Sequence, residues 1–169
     1  KLVIDACAAP GGKSIQLLRS GLNVFSIDHD KKRIETMVKN FNRMNLKHNI
    51  INTNFLNWEP TNLDISAILL DAPCSGTGTF RRNPDIIWHR KKSDIMKLSE
   101  IQMELLEHSF KILKVGGTVV YTVCSIEPEE GINIAKKILN LPNIKLSKIT
   151  SEEMPKLKES ITNEGFVQI

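Results

Sequence analysis

The sequence predicts an α/β fold in which a mainly parallel, twisted sheet carries helices on both faces. Short apolar runs alternate with segments of helical period in the order βαβα(β)βαβα, the pattern of parallel strands joined by helical crossovers. Three of those runs lead directly into a cysteine, in KLVIDACAAPGGK, LLDAPCSGTGTF and TVVYTVCSIEPEE, so Cys7, Cys74 and Cys124 all follow predicted strands. With 41% hydrophobic residues in 169, the chain can bury one real core, which predicts a single domain or most of one. In the doubly wound strand order 3-2-1-4-5, the first, fourth and fifth strands are neighbours. Their three cysteine loops then border one crevice at the carboxyl edge of the sheet, where open α/β sheets bind ligands.

Residues 2–4 form a short buried strand, and AAPGGK (8–13) a small-residue turn into a helix whose apolar side is Ile15, Leu17 and Leu18. Such a helix start favours an anionic group, and glycines admit it close to the backbone, although an ordinary Gly turn would look the same. The spacing is not that of a GxxxxGK phosphate loop. A second strand, 23–27, ends at Asp28, where a dinucleotide-type fold places the acid that accepts from ribose hydroxyls. Asp30 competes for that role, but ahead of Lys31, Lys32 and Arg33 it fits the N-cap of the next helix. Ile34, Met37, Val38, Phe41 and Met44 then recur at helical spacing, so 31–44 is amphipathic.

Residues 49–52 give a third strand, 53–63 a loop and 65–70 a fourth strand; Pro73, Gly76 and Gly78 cannot continue it. Ser93 or Asp94 caps a long helix with Leu98, Ile101, Leu105 and Ile112 as its buried stripe, and Gly116 and Gly117 end it. The fifth strand is 118–123. Pro128 suits the first turn of another helix bearing Ile132, Ile134, Ala135, Ile138 and Leu139. Residues 146–149 are a candidate sixth strand, and 151–164 is charged and poorly patterned.

The net charge of +4 is only mildly basic, but Arg81, Arg82, His89, Arg90, Lys91 and Lys92 crowd the segment beside the Cys74 loop with only Asp85 opposing them. That cluster is either a solvated helix start or a contact for a phosphate backbone, and its place beside the candidate site raises the weight of the second. No apolar run approaches the roughly 18 residues of a membrane span, and no signal-peptide pattern precedes the first strand. Three cysteines form no disulfide-framework spacing, so a cytoplasmic protein with reduced thiols and no membrane partner is expected. Without a Cys-x-x-Cys pair or paired histidines, no metal is expected either. The chain opens on a strand without an initiator Met, which predicts a fragment whose missing flanks carry further substrate-binding parts.

Taken together, these residues resemble the RNA cytosine-5 methyltransferase family, within the Rossmann-like class I methyltransferases that use S-adenosyl-L-methionine. DACAAPGGKS is similar to the family's cofactor loop, Asp28 to its ribose-binding acid, LLDAPCSGTG to its Pro-Cys motif, and YTVCSIEPEE to its Thr-x-Cys-Ser motif. The run RRNPDIIW resembles more narrowly the bacterial Sun/Fmu type, which methylates small-subunit (16S) ribosomal RNA. The resemblance covers residues 1 to about 140, and four motifs in the right order make it specific. It implies S-adenosyl-L-methionine as cofactor, held by Cys7, Ala8, Ala9, Pro10, Gly11, Gly12, Lys13, Asp28, Asn54 and Asp71. RNA, and ribosomal RNA in particular, is the implied partner rather than DNA, with Arg81, Arg82, Arg90, Lys91 and Lys92 as its contacts. Cys7 is read as packing behind the cofactor loop. Asn54 departs from the family's usual Asp, keeping an acceptor without the charge. The family's upstream RNA-binding parts and closing antiparallel strand pair are expected to lie outside this chain, and a monomer is the expectation.

Carbon 5 of cytosine is a poor nucleophile, so a thiolate must first add to carbon 6 before carbon 5 can take a methyl group. The resemblance implies Cys124 as that nucleophile, Cys74 as the thiol that assists breakdown of the adduct, and Asp71 as the group at N3. A free thiol titrates near 8.5, so the site must favour the thiolate; a helix start near Pro128 would help, and Glu127, Glu129 and Glu130 would oppose it. On the residues alone, Asp71 could equally be a strand-end cap. The rivals are a non-catalytic RNA-binding module retaining the fold, a cytosine-5 methyltransferase of tRNA, and another class I enzyme. Intact Cys74, Cys124 and Asp71 argue against the first; the Asp-Ala-Pro-Cys motif and the lack of GxGxxG argue against the last.

Overall fold

The computed structural model describes the backbone of residues 1–169 and every side chain except that of Ile87. It divides into two units, Lys1–Ala135 and Lys136–Ile169, and the candidate site lies wholly within the first. The chain runs β1 (Leu2–Ala6), α1 (Gly12–Arg19), β2 (Asn23–Asp28), α2 (Lys31–Arg43), β3 (Asn49–Asn52), β4 (Ile65–Asp71), α3 (Ile86–His89), α4 (Lys92–Ile112), β5 (Thr118–Thr122) and α5 (Ile132–Leu139). The sheet order is β3-β2-β1-β4-β5 and every pairing is parallel, the Rossmann-like arrangement that the alternation predicts. Right-handed crossovers then set α1 and α2 on one face and α4 on the other.

The register makes the strands end level. Ala6 lies opposite both Ile27 and Leu70, Asp28 opposite Asn52, and Asp71 opposite Thr122. The loops that follow therefore share one edge. Ile4, Val24, Ile27, Ile65, Ile68 and Leu70 are buried in the sheet, while Met37 and Phe41 of α2 pack on Ala8 and Ala9 of the first loop. Full burial of side chains of this size stabilises by about 1.5–3 kcal/mol each, so the cofactor-loop candidate rests on a firm apolar floor.

Several elements differ from the sequence expectation. Strands β1, β2 and β4 run on through Asp5–Ala6, Asp28 and Asp71, because an acidic side chain does not prevent the backbone from pairing in the ladder. Asp30 does cap α2, accepting from the Arg33 N–H at 3.1 Å. Helix α4 starts before Ser93: Asp94 sits inside the first turn and accepts from the Lys91 N–H at 3.0 Å. Its buried face is also not the expected stripe. Ile101 is 40% exposed, and Ser99, Gln102, His108 and Ser109 are buried beside Leu105 and Leu106 because each finds a hydrogen-bond partner.

Pro128 lies in a turn, and α5 begins only at Ile132. The stretch 53–63 contains a 3₁₀ turn, Phe55–Asn57. The second unit contains a 3₁₀ segment, Pro155–Ser160, and an isolated antiparallel bridge between Ile161 and Val167. Residues 146–149 are irregular, bonded through Ile149 N–H to the Gly165 carbonyl at 3.1 Å rather than laddered. Among the described residues no helix is long and apolar enough to cross a membrane.

Candidate active site

The loop after β1 is held from both flanks. Ala8 N–H donates to the Ile27 carbonyl at 3.0 Å, Ala9 N–H to Asp28 Oδ2 at 2.9 Å, and Asn40 Nδ2 to the Pro10 carbonyl at 3.0 Å, while the Arg33 guanidinium donates to the Ala9 carbonyl. Gly11 has φ +94°, and a Cβ there would lie 2.7 Å from Met37 Cγ, so both the backbone and the space demand glycine. Among the described residues no side chain caps the start of α1, the condition in which a helix N-terminus can take an anionic group.

Asp28 is buried at the end of β2, with Oδ1 accepting from Asp30 N–H at 3.0 Å and Oδ2 from Ala9 N–H. It fastens the loop to the second strand. Asn54 is exposed, and its Oδ1 accepts from Leu56 N–H at 3.0 Å to cap the 3₁₀ turn.

Two further groups lie beneath this loop: Asp5, which sequence reasoning did not single out as a site residue, and Cys7, expected to pack behind the loop. Asp5 is fully buried; Oδ2 accepts from the Ser14 hydroxyl, which in turn receives the Ser26 hydroxyl at 2.9 Å, while Oδ1 has no partner among the described residues. Burial pushes its pKa up to about 6 against the Ser14 hydrogen bond, with the Asp71 charge adding to the rise. Cys7 has a left-handed φ of 61°, and burial, followed by the charges of Asp28 and Asp5, pushes its thiol up to about 12. It is a protonated, unreactive thiol.

The level ends of β4 and β5 bring the other two cysteines together. Cys74 Sγ is 3.2 Å from Cys124 Sγ, and Cys124 N–H donates to Cys74 Sγ at 3.3 Å. Gly78 N–H donates to the Cys124 carbonyl at 3.1 Å, an approach so close that a Cβ at Gly78 would also sit 3.1 Å from that oxygen. The pair is asymmetric. Burial and then the contact with Cys124 push the Cys74 thiol up to about 12, whereas Cys124 is exposed. A half-buried thiol thus lies against one carried by an exposed residue. Beside them, Asp71 Oδ2 lies 2.6 Å from Lys13 Nζ and Oδ1 accepts from Thr122 Oγ1 at 3.0 Å. Its side chain is 38% exposed, so the ion pair is screened and serves chiefly to orient the carboxylate.

The three glutamates after Cys124 do not act as one opposing charge. Glu130 is fully buried and accepts from Ser75 N–H, Ser75 Oγ, Ser125 Oγ and Gln102 Nε2. Nor does a helix start lie at Pro128 to favour the thiolate. The basic cluster divides as well: Arg81, Arg82, Arg90, Lys91 and Lys92 are all exposed, but Arg90 Nε also donates to the Ser75 carbonyl at 2.9 Å and holds the Cys74 loop. His89 pairs with Asp85 at 3.8 Å. Among the described residues no group of three or more His, Cys, Asp or Glu side chains could hold a metal ion.

This chain is similar to known proteins over nearly its full length. The family model described as 16S rRNA methyltransferase RsmB/F matches residues 1–167. A ribosomal RNA small subunit methyltransferase B of Shewanella oneidensis is 46% identical over 136 residues, 77% of this chain and 31% of that protein. Its counterpart in Vibrio vulnificus is 41% identical over 145 residues, 82% of this chain and 34% of that protein. Among solved structures, NSun6 from Pyrococcus horikoshii with SFG matches with a TM-score of 0.74 at 29% identity, covering 82% of this chain and 36% of that one. A methyltransferase homolog protein from the same organism matches with a TM-score of 0.70 at 34% identity, covering 89% of this chain and 50% of that one. The chain spans about a third of the length of the curated relatives it matches.

Proposed function

Because the chain belongs to the 16S rRNA methyltransferase RsmB/F family, we propose that it is the catalytic part of an RNA (cytosine-5) methyltransferase. In this reading it moves a methyl group from S-adenosyl-L-methionine to carbon 5 of a cytosine in small-subunit ribosomal RNA, in the cytoplasm. The observation that carries the proposal is the pair of sulfurs 3.2 Å apart at adjacent strand ends, with Asp71 beside them. A fold that only bound RNA would have no use for two thiols held in contact at adjacent strand ends.

The residues fit the cofactor. The uncapped start of α1 suits a carboxylate, the unpartnered and buried Asp5 Oδ1 suits a donor, and Asp28 stands at the strand end where ribose hydroxyls are accepted. Bound there, S-adenosyl-L-methionine supplies an electrophilic methyl group. Cys124, exposed at the mouth, adds as thiolate to carbon 6 of an unstacked cytosine. Asp71, aimed by Lys13 and Thr122, accepts from the proton that N3 takes up from water as the thiolate adds and gives back when the sulfur leaves, and so stabilises the charge that develops in the ring. After methylation the carbon 5 proton is lost to a base, and the Cys124 sulfur leaves. The Cys74 thiol, whose pKa burial raises and whose sulfur lies 3.2 Å away, donates to that departing sulfur. Arg81, Arg82, Lys91 and Lys92 contact RNA phosphates.

The test is incubation of the full-length protein with labelled S-adenosyl-L-methionine and either 16S ribosomal RNA or tRNA, then mapping of the labelled nucleotide. The expected product is 5-methylcytosine in 16S RNA. Label in tRNA alone would move the substrate, and label in neither would leave a module that binds without turnover.

A further inference from the structure

Among the described residues Glu130 makes no hydrogen bond to either thiol or to the cofactor loop, yet both cysteine loops are fastened to it. Its Oε1 accepts from Ser75 N–H at 2.8 Å and Gln102 Nε2 at 3.1 Å, and its Oε2 from Ser75 Oγ and Ser125 Oγ, each at 2.5 Å. Ser75 directly follows Cys74, and Ser125 directly follows Cys124. The two serine oxygens lie 3.1 Å apart, as the two sulfurs lie 3.2 Å apart, so the loops run in register residue by residue. Gln102 extends the clamp: its Nε2 also donates to the Pro73 carbonyl at 2.9 Å, and its Oε1 accepts from Tyr121 OH at 3.1 Å. That hydroxyl reaches the Glu130 carbonyl at 2.6 Å as well. One fully buried carboxylate thus ties the loop after β4, the loop after β5 and helix α4 together.

A buried carboxylate is costly unless hydrogen bonds satisfy it, and apolar packing would hold this space with less penalty. What four convergent donors add is a fixed geometry. We propose that Glu130 is a positioning residue that sets the separation of the Cys74 and Cys124 sulfurs, and through it the release of the methylated base; this rests on reading the chain as a cysteine-dependent methyltransferase. Without the clamp Cys124 remains exposed and able to attack. Cys74 no longer sits where its proton meets the departing sulfur, so release suffers more than attack.

The experiment compares wild type, E130A, E130Q and S125A in the full-length protein, with labelled RNA and cofactor on a denaturing gel, and measures cofactor affinity by calorimetry. In E130A, turnover should fall by about 100-fold, the cost of an ångström-scale misplacement of reacting groups. A methylated protein–RNA adduct should accumulate, while the cofactor dissociation constant stays within about twofold, as for distant sites. E130Q keeps an acceptor for Ser75 N–H and offers its amide to the hydroxyls, so it should recover to within about tenfold, losing only the charge-assisted part of the bonds. S125A should accumulate the adduct even where E130A does not fold. Wild-type methylation beside an S125A, or a folded E130A, that turns over equally well without adduct would overturn the proposal. Absence of wild-type methylation would overturn the functional reading instead.

Discussion

Replacing Asp5 by Asn should stabilise the protein at neutral pH while weakening its hold on the cofactor. Asp5 is fully buried, and burial raises its pKa from the ordinary 3.8 to about 6. The folded state therefore binds this proton more tightly than the unfolded chain does. The stability it contributes is fully present below about pH 3.8 and is lost as pH rises through about 6. Above pH 7 the ionised carboxylate costs on the order of 3 kcal/mol, from about two pKa units at about 1.4 kcal/mol each. Asn has nearly the same shape, keeps an acceptor for the Ser14 hydroxyl and cannot ionise. The unfolding free energy of D5N minus that of wild type should thus widen from near zero around pH 4 to on the order of 3 kcal/mol above pH 7. Urea unfolding of both full-length proteins across that range measures it, and parallel profiles would refute the burial argument. The same substitution changes Oδ1, the unpartnered acceptor assigned to the cofactor, and should raise the cofactor dissociation constant by about tenfold. A more stable D5N with unchanged affinity would place Asp5 outside the cofactor site.

Asp28→Ala should weaken cofactor binding by about 1–3 kcal/mol, because ribose hydroxyls lose a charged acceptor and the Ala9 N–H loses the bond that holds the loop. Calorimetry that shows an unchanged dissociation constant would remove Asp28 from the site. Replacing Arg81 and Arg82 by Ala should weaken RNA binding and flatten its dependence on salt, by about one unit of slope per lost phosphate contact, with cofactor affinity unaltered. An unchanged slope would make the pair a solvated surface.

The sheet order was legible because each strand is an apolar run with its own terminator, and right-handed crossovers leave few ways to assemble them. Asp30 was legible as a cap because the helical period starts directly after it. The buried polar groups were not. Asp5 lies inside a strand that reads as ending at Ile4, since an acid among apolar residues looks like a boundary until Ser14 and Ser26 fold over it. Gln102 and Ser99 broke the apolar stripe of α4 and left Ile101 as the apparent core position, although Gln102 is buried because it reaches Pro73 and Glu130. Glu130 read as one of three acids opposing the thiolate for the same reason: apart from Ser125, its side-chain partners Gln102 and Ser75 lie 28 and 55 positions away. Hydrophobic period reports which side chains avoid water, whereas polar side chains buried by mutual satisfaction leave no periodic trace. Arg90 illustrates the converse, since its charge marks it for RNA while its Nε is committed to the Ser75 carbonyl.

The central claim is that Cys124 attacks and Cys74 assists release, and a denaturing gel of Cys124→Ala and Cys74→Ala with labelled RNA and cofactor tests it most directly. Cys124→Ala should form neither 5-methylcytosine nor any covalent RNA adduct, because no sulfur remains to add to carbon 6. Cys74→Ala should attack and methylate, then stall as a methylated adduct that survives denaturation, since the thiol whose sulfur lies 3.2 Å from Cys124 Sγ is gone. An adduct with Cys124→Ala and none with Cys74→Ala would contradict the account and exchange the roles of the two thiols.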